Sequence, residues 1–422
     1  MQKSFLYSLI YLLVLMFFLP KEYFKRPKDL RRRWIKEKFG FFDYPAQSFK
    51  PKIWIHAVSV GEVLAVANFI KKLSENYDIV LSTITDTGQK VAYERFKSFP
   101  VKIIYLPLDI PFVIKRVLKF LNPVALFLTE TEIWPNLIKY ASQRIPVFLI
   151  NGRISEKSFE GYRKIRFFIK EILNSIKLFC VQEEEYKKRL IALGVSEEKI
   201  YVTGNMKFDL KIERLEFPWE KSLPKPIVLA GSTHEPEETI ILDAFLKLDI
   251  PSTLIVAPRH PERFNEVEKL IKEYIKNRED IFFSKISDLS ESLVEKSRLI
   301  VLVDKIGILA SLYRVCDVAI VGGSFIPHGG QNPLEPAYWR KPIVCGPYMF
   351  NFPFIEEFVK EEGCLIVDDK ALFSVLKELI ENQEKKNKVG ENAYRVFSKK
   401  SGATDKTIDL VMRSLLQYFQ VN

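Results

Sequence analysis

The sequence predicts an α/β protein built from two doubly wound domains, each a parallel sheet with helices on both faces. Three observations carry this reading. From Lys52 onward, short β-rich apolar runs alternate with amphipathic helical stretches. The alternation lapses once, over 211–226, where Glu, Lys and three prolines gather, and then restarts. A chain of 422 residues is also too long for one core and suits two domains of ordinary size.

Taken in order, the strand runs of the first half fall near 53–59, 78–84, 102–106, 124–129, 146–150, 178–181 and 200–203. Helical patterns such as Glu62–Leu73 and Gln89–Phe96 lie between them. The second half reads as strands over Ile227–Ala230, Thr253–Ala257, Ile281–Phe283, Leu299–Val303, Val318–Val321, Ile343–Cys345 and Leu365–Val367. The expected organisation is a first domain over 51–210, a linker over 211–226 and a second domain over 227–400. The last helical patterns, about 386–398 and 404–419, are placed to pack back across the seam, with 401–422 returning to the first domain. Two such domains joined by a linker are expected to enclose a cleft.

The N-terminus carries a different signal. Phe5 to Leu19 is a 15-residue run without a charge, slightly short of the roughly 20 residues that cross a bilayer. Lys21 to Lys38 then holds nine basic residues and three acidic ones. A cleavable signal peptide has its positive charge before the apolar core, and here the order is reversed. The reading is an uncleaved membrane anchor over 1–20 and a basic membrane-proximal segment over 21–50, with everything beyond held in the cytoplasm. A buried N-terminal helix is the alternative. Basic residues beside an anchor also attract anionic lipid headgroups, at about 1 kcal/mol each.

Composition narrows the class. Hydrophobic residues make up 47% and charged residues 28%, as in a globular protein rather than a disordered one. Lys and Arg number 64 against 53 Asp and Glu, a formal +11, which favours a polyanionic partner or an anionic membrane surface. Cys180, Cys316, Cys345 and Cys364 lie singly in or beside apolar runs, without a C-x-x-C pair. They are expected to be buried and reduced, and a zinc site is disfavoured.

The chemistry gathers at predicted strand ends. In His56-Ala57-Val58-Ser59-Val60-Gly61-Glu62 an apolar run gives way to a helix, which turns backbone N–H groups toward the crevice where open α/β sheets bind ligands. Glu62 stands at that helix start, either as a dipole partner or as a reacting group. All four histidines, His56, His234, His260 and His328, lie in polar clusters that end strands, so one cleft lined by loops of both domains is expected. Gly322-Gly323-Ser324 and Gly329-Gly330 let the backbone approach a ligand. Asn332-Pro333 opens a helix whose N–H groups suit a phosphate, and Glu335 one turn inside suits ribose hydroxyls or a cap. Neither GxGxxG nor GxxxxGK[ST] nor GxSxG occurs, which disfavours a dehydrogenase, a P-loop NTPase and an α/β-hydrolase. Arg259 follows a strand and suits a phosphate or an ion pair. Glu130 and Glu132, two apart on an extended chain, are expected to face the same side. Lys207 supplies a cation opposite them.

These residues occur in a recognisable order. Arg33-Trp34 through Gly40-Phe41, HAVSVGE, Thr129-Glu130-Thr131-Glu132 with Trp134-Pro135-Asn136, Asn151-Gly152-Arg153-Ile154-Ser155, Gly204-Asn205-Met206-Lys207-Phe208-Asp209, Ser232-Thr233-His234-Glu235, PRHPERF, GGSF and GGQNPLEP follow one another along the chain. In this the sequence resembles the Kdo transferases of lipopolysaccharide synthesis over essentially its whole length. The resemblance implies a GT-B glycosyltransferase of two Rossmann-like domains. It would move 3-deoxy-D-manno-octulosonic acid (Kdo) from CMP-Kdo to a lipid A precursor resembling lipid IVA, on the cytoplasmic face of the inner membrane. The polyanionic partner is then a phosphorylated lipid, with the anionic lipids around it, and not a nucleic acid.

The resemblance also assigns roles. Glu62 matches the family's catalytic base, and Glu130 and Lys207 match residues that stabilise the transition state. Pro258 and Arg259, the turn Ile306-Gly307-Ile308, and Asn332, Pro333, Leu334 and Glu335 match the CMP-binding segments. Beside these, His56, Ser59, Gly61, His260, Gly322, Gly323 and Ser324 are expected from their own positions to support the cleft. No cofactor and no metal ion are implied, and the chain holds no D-x-D sequence. Two departures stand out: Gln331 occupies a position where other members carry His, and Ile306 and Ile308 replace more varied residues in the turn. Another membrane-associated GT-B transferase or epimerase, or a non-catalytic membrane-tethered nucleotide-binding module, are the competing readings.

Overall fold

The alternating pattern builds two seven-stranded parallel sheets in a computed structural model, which describes residues 2–43, 50–289 and 298–421. The stretch 44–49 of the basic segment lies outside the described residues. Strands of the first sheet are β1 (Lys52–His56), β2 (Asp78–Thr83), β3 (Val101–Tyr105), β4 (Ala125–Thr129), β5 (Val147–Gly152), β6 (Leu178–Val181) and β7 (Ile200–Val202). Those of the second are β8 (Ile227–Thr233), β9 (Thr253–Pro258), β10 (Ile281–Lys285), β11 (Arg298–Leu302), β12 (Val318–Val321), β13 (Ile343–Cys345) and β14 (Cys364–Ile366). Each coincides with a run read from the sequence, to within a few residues at its ends. Strands buried on both faces must be apolar throughout, and that makes parallel sheets conspicuous in a sequence.

The strand orders are β3-β2-β1-β4-β5-β6-β7 and β10-β11-β9-β8-β12-β13-β14. In the first sheet the order reverses between β1 and β4, which pair with Ile53 beside Ala125. In the second it reverses between β8 and β12, with Val228 beside Val318. Such switch points are where open α/β sheets bind ligands. Each sheet has one irregular register close to its switch point, spanning Leu149 to Gly152 in β5 and Gly231 to Thr233 in β8. Asn151 and Ser232 within them have φ of 50° and 58°, left-handed values that cost a non-glycine residue energy.

The chain divides into two compact units, 1–209 with 401–422, and 210–400. In the first, one core layer gathers Trp54, Leu126 and Val147 under the helix Pro111–Leu121, and the opposite layer gathers Ile55, Phe127 and Phe148 under the helix Ala67–Ser74. Ala403, Val411 and Leu415 of the helix Ala403–Val421 join that second layer, and Asp209 caps the helix entry by accepting the Gly402 and Thr404 N–H groups. The second unit repeats the two-layer plan around Val228 and Val256 on one face and Leu229 and Ile255 on the other. Trp219 and Leu223, from the proline-rich stretch 211–226, are buried in its second layer. This stretch therefore belongs to a core as well as joining two sheets, because its apolar residues have a sheet face to cover.

Two helical details differ from the sequence pattern. Glu62–Leu73 forms two helices, Val60–Ala65 and Ala67–Ser74, because the backbone leaves helical geometry at Val66 (φ −94°, ψ 8°). The N-terminal run forms one helix, Gln2–Lys25, whose stretch Leu6–Lys25 is long and apolar enough to cross a membrane. One side of it is packed on the first unit through Tyr11, Leu15 and Leu19, so it is neither a free rod nor a buried helix. All four cysteines are buried and free.

Candidate functional site

In the first unit the site forms where β1 and β4 end side by side. Ser59 ends the turn after β1, and Glu62 is the third residue of the helix Val60–Ala65. Its carboxylate turns back and accepts the Val58 N–H at 2.9 Å, and the Ser59 hydroxyl lies 3.4 Å away. Thr129, the last residue of β4, brings its hydroxyl to 2.6 Å from the same carboxylate and 2.9 Å from the His56 carbonyl. That hydroxyl has one proton for two oxygens. It can donate to either, and the bond to Glu62 favours the ionised carboxylate.

The electrostatics of Glu62 agree with this geometry. Burial pushes its pKa above the ordinary carboxylate range, the bonds from Thr129 and Val58 oppose that, and the negative charges of Glu130 and Glu132 add to it. A buried carboxylate raised in this way is suited to accept a proton from a hydroxyl. The group does serve the helix start, as the dipole reading holds, but burial among acidic neighbours exceeds what a cap needs. Gly61 is exposed and leaves the approach to this turn open.

Glu130 and Glu132 do not lie on an extended chain. Glu130 has φ of 50°, so the backbone leaves the sheet in a left-handed turn and the two-residue alternation no longer applies. The side chains consequently part. Glu130 reaches to 3.6 Å from the Lys207 ammonium, while Glu132 accepts the Trp134 indole N–H at 2.9 Å and lies 3.7 Å from His56 Nε2. His56 is fully buried, with Nδ1 3.0 Å from the Ser82 carbonyl. A carbonyl only accepts, so Nδ1 carries a proton, and Nε2 has no hydrogen-bond partner. Lys207 is held in place from a distance: Asn151 Oδ1 accepts the Met206 N–H and Asn205 Oδ1 accepts the Lys207 N–H, each at 3.0 Å.

The second unit builds its counterpart where β8 and β12 end. Glu237 is fully buried and accepts four backbone N–H groups: His234 at 2.9 Å, Gly323 at 2.6 Å, Ser324 at 2.9 Å and Phe325 at 2.9 Å. Three of these N–H groups belong to the glycine loop, so they are bound to a carboxylate and not presented to a ligand. A Cβ on Gly322 would run into the Ser232 carbonyl, so this glycine allows two strand ends to approach. Ser324 closes the loop, its hydroxyl accepting the Gly346 N–H at 2.8 Å.

Three of the four histidines meet here. The His234 ring lies 4.2 Å from that of His328 and 5.5 Å from that of His260, tilted at 38° and 85°. Both ring nitrogens of His234 are buried without a hydrogen-bond partner. Burial, then the neighbouring imidazoles, push its pKa down to about 4, so it is neutral at ordinary pH. Among the described residues no group of His, Cys, Asp and Glu is placed to hold a metal ion.

Pro258 is buried at the end of β9, and the next residue, Arg259, exposes its side chain while its N–H donates to the Thr233 carbonyl at 3.0 Å. Asn332 accepts the Leu334 N–H at 3.1 Å through Oδ1 and donates to Glu335 through Nδ2 at 3.3 Å. Pro333 caps the helix Leu334–Tyr338 rather than entering it. Glu335 is raised to about 6 by burial, opposed by Asn332 and by the charge of Arg259. The turn at Gly307 has φ of 86° and leaves Ile306 78% exposed. The exposed Arg259 guanidinium, within reach of the Glu335 charge, suits an anion.

Comparison with known proteins gives a consistent result. Residues 33–210 match the family described as 3-deoxy-D-manno-octulosonic-acid transferase (kdotransferase). The chain is 35% identical over 405 residues to the 3-deoxy-D-manno-octulosonic acid transferase of Haemophilus influenzae, covering 92% of each. It is 29% identical to that of Aquifex aeolicus, covering 84% of this chain and 93% of the relative. Among solved structures it is similar to the UDP-GlcNAc 2-epimerase of Neisseria meningitidis bound to UDP-GlcNAc, with a TM-score of 0.56 and 16% identity, covering 86% of this chain and 100% of that one. At that identity the likeness is one of fold, the GT-B-like plan.

Proposed function

The chain belongs to the Kdo transferase family, and from that premise we propose that it is an inverting transferase carrying Kdo from CMP-Kdo to a lipid A precursor such as lipid IVA. It is a glycosyltransferase of lipopolysaccharide synthesis; the acceptor, the stereochemical course and the residue roles belong to the proposal. The observation that carries them is the Glu62 carboxylate, buried, raised in pKa and open on its Gly61 side.

In the proposed step a hydroxyl of the acceptor attacks the anomeric carbon of Kdo while its proton passes to Glu62. The new C–O bond forms as the bond from that carbon to the CMP phosphate oxygen breaks, and the electron pair leaves with CMP. Lys207, oriented by Glu130, stabilises charge developing at the reacting centre. The second unit holds the donor, with Arg259 on the phosphate, Asn332 to Glu335 on the nucleoside and Ile306 to Ile308 as the apolar contact. Leaving as a monophosphate, CMP needs no divalent ion. The acceptor stays in the membrane, so the enzyme works on the cytoplasmic face of the inner membrane, held there by its N-terminal helix and basic segment.

The test supplies purified protein with CMP-Kdo and lipid IVA in the presence of EDTA and follows Kdo-lipid by mass spectrometry. Product formation is expected; no product, or product only after a divalent ion is restored, contradicts the proposal.

A further inference from the structure

The helix Gln2–Lys25 meets the first unit along a single stripe. Tyr7, Tyr11, Leu15 and Leu19 recur every four residues and so lie on one helical face. Tyr11, Leu15 and Leu19 pack on the core under the sheet. The stripe is also polar at depth: the Tyr7 hydroxyl donates to Asp109 at 2.9 Å, the Asp109 N–H donates to the Tyr11 hydroxyl at 3.3 Å, and Asn136 Nδ2 donates to Ser8 at 3.0 Å. Asp109 is itself buried and pins the start of the helix Pro135–Ser142 through the Asn136 and Leu137 N–H groups. At the far end Arg26 is buried, bonded to Glu22 at 2.9 Å and lying 4.2 Å over the Trp34 ring.

From Tyr7 to Arg26 the rise is about 28 Å, at about 1.5 Å per residue. That is nearly the whole roughly 30 Å of hydrocarbon that a span must cross. The helix is therefore docked on a folded unit over the same length that a crossing would need. Crossing would either strip Tyr7, Ser8 and Tyr11 from their partners or draw Asp109 into hydrocarbon, where a carboxyl is costly. The other face of the helix is apolar and uncovered: Leu6, Leu13, Phe17 and Phe24 lie opposite the stripe, Phe17 being 79% and Phe24 68% exposed. Phe168, stacked on Tyr7 at 6.1 Å, is preceded by Phe167, which is 69% exposed, so the apolar surface continues onto the folded unit.

Charge names the partner. Lys21, Lys25, Lys28 and Arg32 are exposed beside the helix, and Lys164 and Arg166 beside Phe167. Arg26 and Lys38 are buried, so not every cation of the basic segment is available to a headgroup. We infer that this helix lies in the plane of an anionic bilayer surface, docked on the first unit by its Tyr7–Leu19 stripe and sunk by its opposite face, so that the protein sits on one leaflet without crossing it. Such helices sit about 5–10 Å into the headgroup boundary. The inference deepens the proposed membrane location and rests on it.

The test uses the full chain carrying one added cysteine at Leu6, Leu13 or Phe24, each exposed, labelled with a fluorophore while the native cysteines stay buried. Depth is read with nitroxide-bearing lipids in vesicles of phosphatidylcholine with phosphatidylglycerol. The three labels are expected at one shallow depth, and the bound fraction is expected to fall several-fold without phosphatidylglycerol. A label at Leu13 in the bilayer centre, with those at Leu6 and Phe24 near opposite surfaces, overturns the in-plane placement while keeping the membrane reading. No quenching at any position overturns both, and binding unchanged without phosphatidylglycerol overturns the assignment of an anionic partner.

Discussion

Glu62 and Glu237 occupy comparable places in the two units, each just after the strand at the switch point of its sheet and each buried at a helix start. Burial raises the pKa of both. Their partners differ. Glu237 accepts four backbone N–H groups and closes the glycine loop of β12 onto β8. Glu62 accepts one backbone N–H, the Thr129 hydroxyl and a long bond from the Ser59 hydroxyl, faces two further carboxylates and lies beside an exposed glycine. A carboxylate saturated with fixed donors is a structural element, whereas one held by few donors among like charges is free to take and release a proton. The same position in one sheet plan thus serves folding in one unit and, in the proposed mechanism, chemistry in the other.

The largest effect is expected at Glu237. Removing its side chain leaves four buried N–H groups without an acceptor, at about 1–3 kcal/mol each. Glu237→Ala should therefore lose at least about 4 kcal/mol, a fall of about 10 °C in the melting midpoint of the second unit. Calorimetry checks this, and a variant that melts normally but fails in catalysis would erase the contrast between the two glutamates. Next comes Lys207. Lys207→Ala should lower kcat about 100- to 1000-fold with an unchanged melting point, because the ammonium pairs only with Glu130 among the described residues; steady-state rates beside a thermal scan decide it.

The smallest effect sharpens the comparison most finely. The bond from Thr129 lowers the pKa of Glu62. Thr129→Val removes it, so the pKa rises further and the acid limb of kcat/KM moves to higher pH. A general base acts only when ionised, so the rate at a fixed pH on that limb falls. An unmoved limb would show that Thr129 does not tune Glu62, and one displaced to lower pH would show that it raises the pKa of Glu62 instead of lowering it.

The sequence makes the sheets plain, since a strand covered on both faces must be apolar in every residue and its turns polar. Position within the site is less legible. Glu62 stands out because HAVSVGE ends a strand, but Thr129 reads only as the last residue of an apolar run. Glu237 hides in Glu235-Pro236-Glu237-Glu238, where three carboxylates look alike and only the fold selects the one beneath the glycine loop. The same holds for the N–H groups of Gly323 and Ser324, which a sequence cannot show to be already bonded. The split between Glu130 and Glu132 depends on one left-handed residue. In the N-terminal helix the docking stripe is invisible because the opposite face is equally apolar.

Glu62 either reacts or merely caps a helix. The most direct measurement is the single-turnover rate of Kdo transfer by Glu62→Gln, with its melting curve taken on the same sample. Glutamine keeps the shape and can still accept the Val58 N–H, so the fold is expected to survive with a melting point near that of the parent, while the rate drops about 10²- to 10⁴-fold. A variant that transfers Kdo at the parental rate, or one whose loss of rate follows a loss of fold, would contradict the assignment of Glu62 as the base.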